Sequence, residues 1–369
     1  MIPINDLKRG IARSEEAVAA VTRVLSSGYW IQGPEHNAFE EEFAEFLNIE
    51  HVLGVASGTD ALEIALRAVG CKQGSKVVTV ANAGGYTSIT AASIGCEVIY
   101  CDIDPHRLLM DPEALVGLLS KEISAVVVTH LYGNVAPISL IKGLCDQFGI
   151  PVIEDCAQAA GATEEGVRVG TIGHIGTFSF YPTKNLGAIG DGGALATNSS
   201  MYAKRIKSLR QYGWSAKYEI VNEGGMNSRL DEIQAAVLRI GLRVLDQQNV
   251  RRINHLKSYE NALIGSPIKF VTSSALGNVA HLAVLKLPDY FDRSEFRKKM
   301  SDRSVQTDIH YPILDYDQLG LFKNATKDKL INSETAVEKI VSIPLFPELT
   351  SQETLQVILA LKSILPSQE

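Results

Sequence analysis

Lys184 follows an apolar run, Gly176-Thr177-Phe178-Ser179-Phe180, instead of lying on a charged face. An amine at the low-dielectric end of a buried strand loses basicity by desolvation and becomes a usable nucleophile. Asp155 closes a second apolar strand pattern, as the latter half of the acidic pair Glu154-Asp155 after Val152-Ile153. A carboxylate at that depth is costly unless something cationic needs it, such as a protonated ring nitrogen. Ser57-Gly58-Thr59-Asp60 stands between a strand pattern and a helix pattern, where glycine and free N–H groups can receive a phosphate. Ser179 could add a hydroxyl to the same anion, and Gly190-Asp191-Gly192-Gly193 implies tight backbone turns beside a bound group. Each feature alone has a plainer reading: a capped turn, a helix N-cap, a solvated lysine, a hairpin.

The elements that must position these residues are readable from periodicity. Strands are expected at His51–Val55, Lys76–Val80, Glu97–Cys101, Ala125–Thr129, Val152–Glu154 and Gly176–Phe180. Helices are expected after Gly33-Pro34, where Phe39, Phe43, Phe46 and Leu47 recur, over Thr59–Val69, from Asp111-Pro112 through Leu119, and over Ile138–Phe148. Apolar strands alternating with helices imply an α/β fold with a mostly parallel sheet covered on both faces. Ligands of such sheets sit at the carboxyl ends of the strands, where Asp155, Ser179 and Lys184 fall.

From Leu230 the spacing of Ile233, Val237, Ile240 and Val244 predicts one long amphipathic helix leading out of a large domain, residues 1–250. A smaller C-terminal α/β domain, 251–369, would hold a strand over Val279–Leu287 and a helix capped by Ser294. Its terminal helix opens on a Thr350/Glu353 capping box, with Leu355, Ile358, Leu361 and Leu365 as its apolar stripe. A chain of 369 residues exceeds one hydrophobic core, in keeping with two domains.

The net charge of -7 argues against a nucleic-acid partner. Five scattered cysteines without a CxxC pair suggest neither a metal knuckle nor a disulfide framework. The start of the chain, polar from Asn5, lacks the apolar core of a signal peptide, and no apolar run approaches membrane length. A soluble cytoplasmic protein is the expectation.

Together the strings IEDCAQ at Ile153, GTFSFYPTKN at Gly176, GDGGA at Gly190 and NSRLDEIQAA at Asn227 resemble the sugar-nucleotide aminotransferases of the DegT/DnrJ/EryC1/StrS family. The resemblance implies a fold-type I enzyme of pyridoxal 5'-phosphate (PLP), with a large domain, a small one, and a homodimer with shared active sites. It implies that Lys184 forms the Schiff base with the cofactor, Asp155 pairs with its ring nitrogen, and Gln158 lies beside the ring and its phenolic oxygen. Gly58, Thr59 and Ser179 would hold the phosphate, joined by Asn227 from the partner subunit. Tyr181, Arg229, His310 and Tyr311 would contact the sugar nucleotide.

Three positions depart from the resemblance. Gly84 stands where an aromatic residue stacks on the cofactor, leaving Tyr86 as its substitute; Ala160 and Asp315 stand where histidines are common. The implied reaction is ping-pong transfer of an amino group from an amino acid, glutamate, to a nucleotide-linked keto sugar. The loop from Phe180 to Gly193 resembles members acting at C3 of a dTDP-3-keto-6-deoxyhexose. Alternatives are a C4-aminating enzyme, a lyase or dehydratase of the same fold, and a non-catalytic PLP-binding regulator. Lys184 speaks against the dehydratases, which resemble this chain but have histidine there.

Overall fold

The computed structural model describes residues 1–10, 14–318, 320 and 330–365. Seven strands form the main sheet in the spatial order His51–Val55, Gly193–Thr197, Ile175–Ser179, Val152–Asp155, Ile123–Thr129, Lys76–Val80, Glu97–Cys101. The four pairings from Ile175–Ser179 to Glu97–Cys101 are parallel. Gly193–Thr197 runs antiparallel to both its neighbours. The mostly parallel, mixed sheet is thus as expected, and the physical reason is visible within single strands. Val77 faces one apolar cluster, with Leu62, Ile64 and Leu66 of the Gly58–Ala68 helix, while Val78 and Val80 face another, with Ile138 and Ile141. Both faces are buried, so the strands read as continuous apolar runs.

The strand leading to Lys184 is anchored by aromatics. Phe178 and Phe180 meet Phe43 edge-on at centroid distances of 5.1 and 5.7 Å, and Phe39 meets Phe180 at 5.3 Å. Phe39 and Phe43 belong to the Pro34–Leu47 helix, which the Gly33-Pro34 signal located.

Several expectations are corrected. The helix expected over Leu230–Val244 runs from Glu232 to Leu242, capped by Asp231, and a second helix, Leu245–Ala262, follows after non-helical backbone at Val244. The helix after Pro112 stops at Val116, short of Leu119, and Asp292 rather than Ser294 caps the helix Arg293–Asp302. The strand expected over Val279–Leu287 is confined to Ala283–Lys286. The Thr350/Glu353 capping box is present, but the buried face of that helix is Val357, Ala360, Leu361 and Ile364, while Leu355 is exposed. Ile358, Leu361 and Leu365 of the expected stripe do pack against this core, and the smaller Val357 and Ala360 complete the face. The helix Glu15–Ser27 escaped notice because its buried stripe is Ala17, Ala20 and Val24, too small to stand out.

The C-terminal part centres on a three-stranded antiparallel sheet, Lys269–Phe270, Ala283–Lys286 and Ile340–Ile343. Ile2 joins this core beside Leu256 and Val341. The Leu245–Ala262 helix binds both parts: Asn249 Nδ2 donates to Ala160 O (3.0 Å), and Arg252 donates to Leu345 O (3.1 Å). Among the described residues, no helix is long and apolar enough to cross a membrane.

Candidate active site

The floor of the site is the carboxyl edge of three adjacent parallel strands, where register aligns Thr129, Asp155 and Thr177. The acidic pair Glu154-Asp155 divides across the sheet, as successive strand residues must. Glu154 turns away from the site and accepts the N–H groups of Gly170, Ile172 and Gly173 as well as His130 Nε2 at 3.0 Å. Both its oxygens are used, so His130 and Glu154 form a hydrogen-bonded pair beside the buried Cys156. Asp155 accepts from Ala157 N (3.0 Å) and Thr129 Oγ1 (3.4 Å). Burial pushes its carboxyl above the usual value, with Lys184 and His130 opposing the shift.

Lys184 stands in a turn closed on itself: its N–H donates to Tyr181 O and that of Ala188 to Phe180 O, both at 2.8 Å. Gly187 permits this, since a Cβ there would lie 2.6 Å from Pro182 O. Burial lowers the Lys184 amine below its ordinary value, and the charge of Asp155 partly restores it. The neighbouring Asn185 is fixed by Asn249 Oδ1 (2.7 Å) and lies 2.8 Å from His281 Nδ1.

The third component is the start of the Gly58–Ala68 helix. Ser57 Oγ accepts from Asp60 N (3.0 Å), leaving the first-turn N–H groups of Gly58 and Thr59 without intrahelical acceptors. Gly58 is required by a close approach: its Cβ would stand 2.5 Å from Cβ of Ser179. Ser228 clamps the turn from behind, donating to Asp60 Oδ2 (2.6 Å) and accepting from Ala56 N (3.0 Å).

Gly58, Thr59, Asp155, Gln158, Ser179 and Lys184 all line one cavity of about 750 Å³. Tyr86 and Tyr181 stand at its exposed rim, and His310 and Tyr311 form the facing wall. The set suits PLP: N–H and hydroxyl donors at one end, a buried carboxylate at the floor, and a desolvated amine between them. Asn227 is exposed and Arg229 lies over the Tyr212 ring at 5.9 Å; neither lines this chain's cavity.

Residues 12–362 match the DegT/DnrJ/EryC1/StrS aminotransferase family. The chain belongs to that family. Among its relatives is the dTDP-3-amino-3,6-dideoxy-alpha-D-galactopyranose transaminase of Aneurinibacillus thermoaerophilus, 35% identical over 97% of this chain and 98% of that protein. The UDP-2-acetamido-2-deoxy-3-oxo-D-glucuronate aminotransferase of Pseudomonas aeruginosa is 32% identical over 95% and 96% of the two chains. The structure of S. venezuelae DesV in complex with a ketimine intermediate superposes with a TM-score of 0.93, at 34% identity and 98% coverage of both chains. NtdA from Bacillus subtilis, solved with the cofactor PMP, superposes at 0.88, with 28% identity over 98% of this chain and 84% of that one.

This family member is therefore a PLP-dependent aminotransferase. Four residues at its site escaped sequence reading. Thr129 was visible only as the end of a β-branched run, and its role follows from pairing beside Asp155. Tyr132, whose N–H donates to Gln158 Oε1 (2.6 Å), had no local signal. Asn185 was noted only as Lys184's neighbour, and His281 lay inside an apparent strand.

Proposed function

We propose that this enzyme moves an amino group from glutamate to a nucleotide-linked keto sugar, at C3 of a dTDP-3-keto-6-deoxyhexose. The observation that carries the reading is the meeting of Lys184 and Asp155 in one cavity whose far end is the Gly58 helix start. PLP supplies an electron sink there while its ring nitrogen stays protonated. Asp155 holds that proton, its own burial relieved by the cation. The first-turn N–H groups of Gly58 and Thr59, with Ser179 Oγ, bind the phosphate. Lys184 Nζ, its basicity lowered by burial, takes the proton from the donor's α-carbon and later returns one to the sugar carbon.

Tyr181 at the rim and His310 on the facing wall would flank the entering nucleotide sugar. Asn227 and Arg229 lie outside this chain's cavity, and we assign them to the site of a second copy in a homodimer. The C3 and dTDP assignment rests on the Phe180–Gly193 loop beside Lys184 and is supported by the Aneurinibacillus relative, while the Pseudomonas relative makes a UDP sugar the competitor. Incubation with glutamate and a panel of dTDP-, UDP- and GDP-linked 3-keto and 4-keto hexoses, with the product read by NMR, tests both levels. A C3 amine on a dTDP sugar is expected. Nitrogen only at C4, or turnover only of UDP or GDP sugars, overturns the finer assignment; no transfer to any nucleotide sugar overturns the class.

A further inference from the structure

Three tyrosines line the cavity around Asp155 and Lys184: Tyr86, Tyr181 and Tyr311. Tyr86 and Tyr181 are 44% and 52% exposed, so much of each ring faces water. Tyr311 is held differently. A Cβ built on Gly84 would lie 2.9 Å from Cε1 and Cζ of Tyr311 and 3.0 Å from Cε2. Near-equal distances to three adjacent ring atoms mean that the phenol presents its face, not its edge, to the glycine. Gly84 also has φ +81°, a backbone state that disfavours a side chain.

A circuit of hydrogen bonds fixes the ring. Gln158 Nε2 donates to the Tyr311 hydroxyl (2.9 Å), Gln158 Oε1 accepts from Tyr132 N, and the Tyr132 hydroxyl donates to His310 O. The far end of the segment is fastened to the same glycine turn: Asp315 N donates to Ala81 O (2.8 Å), and Ser88 Oγ donates to Asp315 Oδ2 (2.6 Å). With one face on Gly84 and the hydroxyl on Gln158, the opposite face remains to line the cavity.

We propose that Tyr311 is the aromatic ring against which the cofactor's pyridine ring packs, and that position 84 is glycine because the phenol fills the space a side chain would need. This deepens the PLP assignment and rests on it. Tyr86, edge-on to Tyr311 at 6.3 Å and 77°, buttresses the ring instead of stacking on the cofactor.

The test is equilibrium binding of PLP to the apo-protein, followed by cofactor absorbance and protein fluorescence, with the thermal midpoint of each apo-variant as a folding control. Tyr311→Ala and Tyr311→Leu should raise the dissociation constant roughly three- to tenfold, the range an aromatic stacking contact is worth, while Tyr311→Phe stays near wild type. Lys184 contributes equally in every variant, so the ratio isolates the ring. Gly84→Phe alone should displace the phenol and weaken binding by a similar factor. Wild-type affinity in Tyr311→Ala and Tyr311→Leu overturns the proposal. Should Gly84→Phe fail to fold, the ratio of Tyr311→Ala to Tyr311→Phe decides alone. A wild-type chain that binds no PLP overturns the cofactor assignment instead.

Discussion

The carboxyl edge of the main sheet and the His310–Asp315 segment close the same cavity from opposite sides, yet they are built by different means. At the sheet edge, each functional group ends a strand whose burial is decided locally: Asp155 after Val152-Ile153-Glu154, Ser179 at the end of Ile175–Ser179, Lys184 one turn beyond. The facing segment has no regular structure of its own before Asp315. It is held by side-chain bonds to residues far along the chain, such as Gln158 to Tyr311 and Ser88 to Asp315. A chemically essential edge is thus set by backbone pairing, and its complement by a few polar anchors.

Breaking the edge should cost most. Lys184→Ala removes the proton-moving amine and the covalent anchor together, so turnover should fall by at least on the order of a thousandfold, with no borohydride-trapped cofactor on the purified variant. Cofactor still trapped on it would show that another amine does this work. Asp155→Asn keeps the shape but gives up the negative charge that holds a proton on the ring nitrogen. A loss of about a hundredfold in kcat is expected. Because burial raises the Asp155 carboxyl, the apo-variant should melt no lower than wild type at neutral pH, which separates a functional carboxylate from a structural one.

Much of this contrast was legible beforehand. The strands ending at Val80, Cys101 and Thr129 were recognisable because burial on both faces leaves no polar alternation. Lys184 and Asp155 stood out because charge ended an apolar run. What could not be read was whatever depends on docking. The Leu245–Ala262 helix went unread because its buried face includes the polar Asn249 and Arg252. The alanine stripe of Glu15–Ser27 becomes a core only against Ala236 and Ile240. The contact of Tyr311 with Gly84 joins residues with no shared period, although the missing side chain at position 84 was itself visible.

The polar anchors offer a gentler test. Burial pushes the Asp315 carboxyl up to about 7, while Ser88 and the Gly85 N–H oppose the shift. A raised carboxyl favours folding while protonated. Its contribution is full below the unfolded value of about 4 and is lost as pH rises to about 7. Thermal midpoints measured across that window should therefore decline more in wild type than in Asp315→Asn; parallel curves would show that Asp315 does not titrate there. Smallest of all should be the effect at the last helix of the C-terminal part. Thr350→Ala removes one half of a capping box and should cost about 1 kcal/mol in denaturant unfolding, with kcat unchanged. A change in turnover would reveal coupling that neither region displays.

The Leu245–Ala262 helix grips both sides of the cavity from two positions on one surface. Asn249 holds Ala160 and Asn185, beside Lys184; Arg252, three residues on, holds Leu345 and, more loosely at 3.4 Å, His281. The helix is therefore a ruler graduated in three residues, just short of a turn, setting the two grips about 4.5 Å apart along its axis. Substitutions elsewhere on it leave that spacing intact. One residue inserted between Asn249 and Arg252 would advance the second grip by about 1.5 Å and swing it through about 100°, so this stretch tolerates changes of letter far better than changes of length.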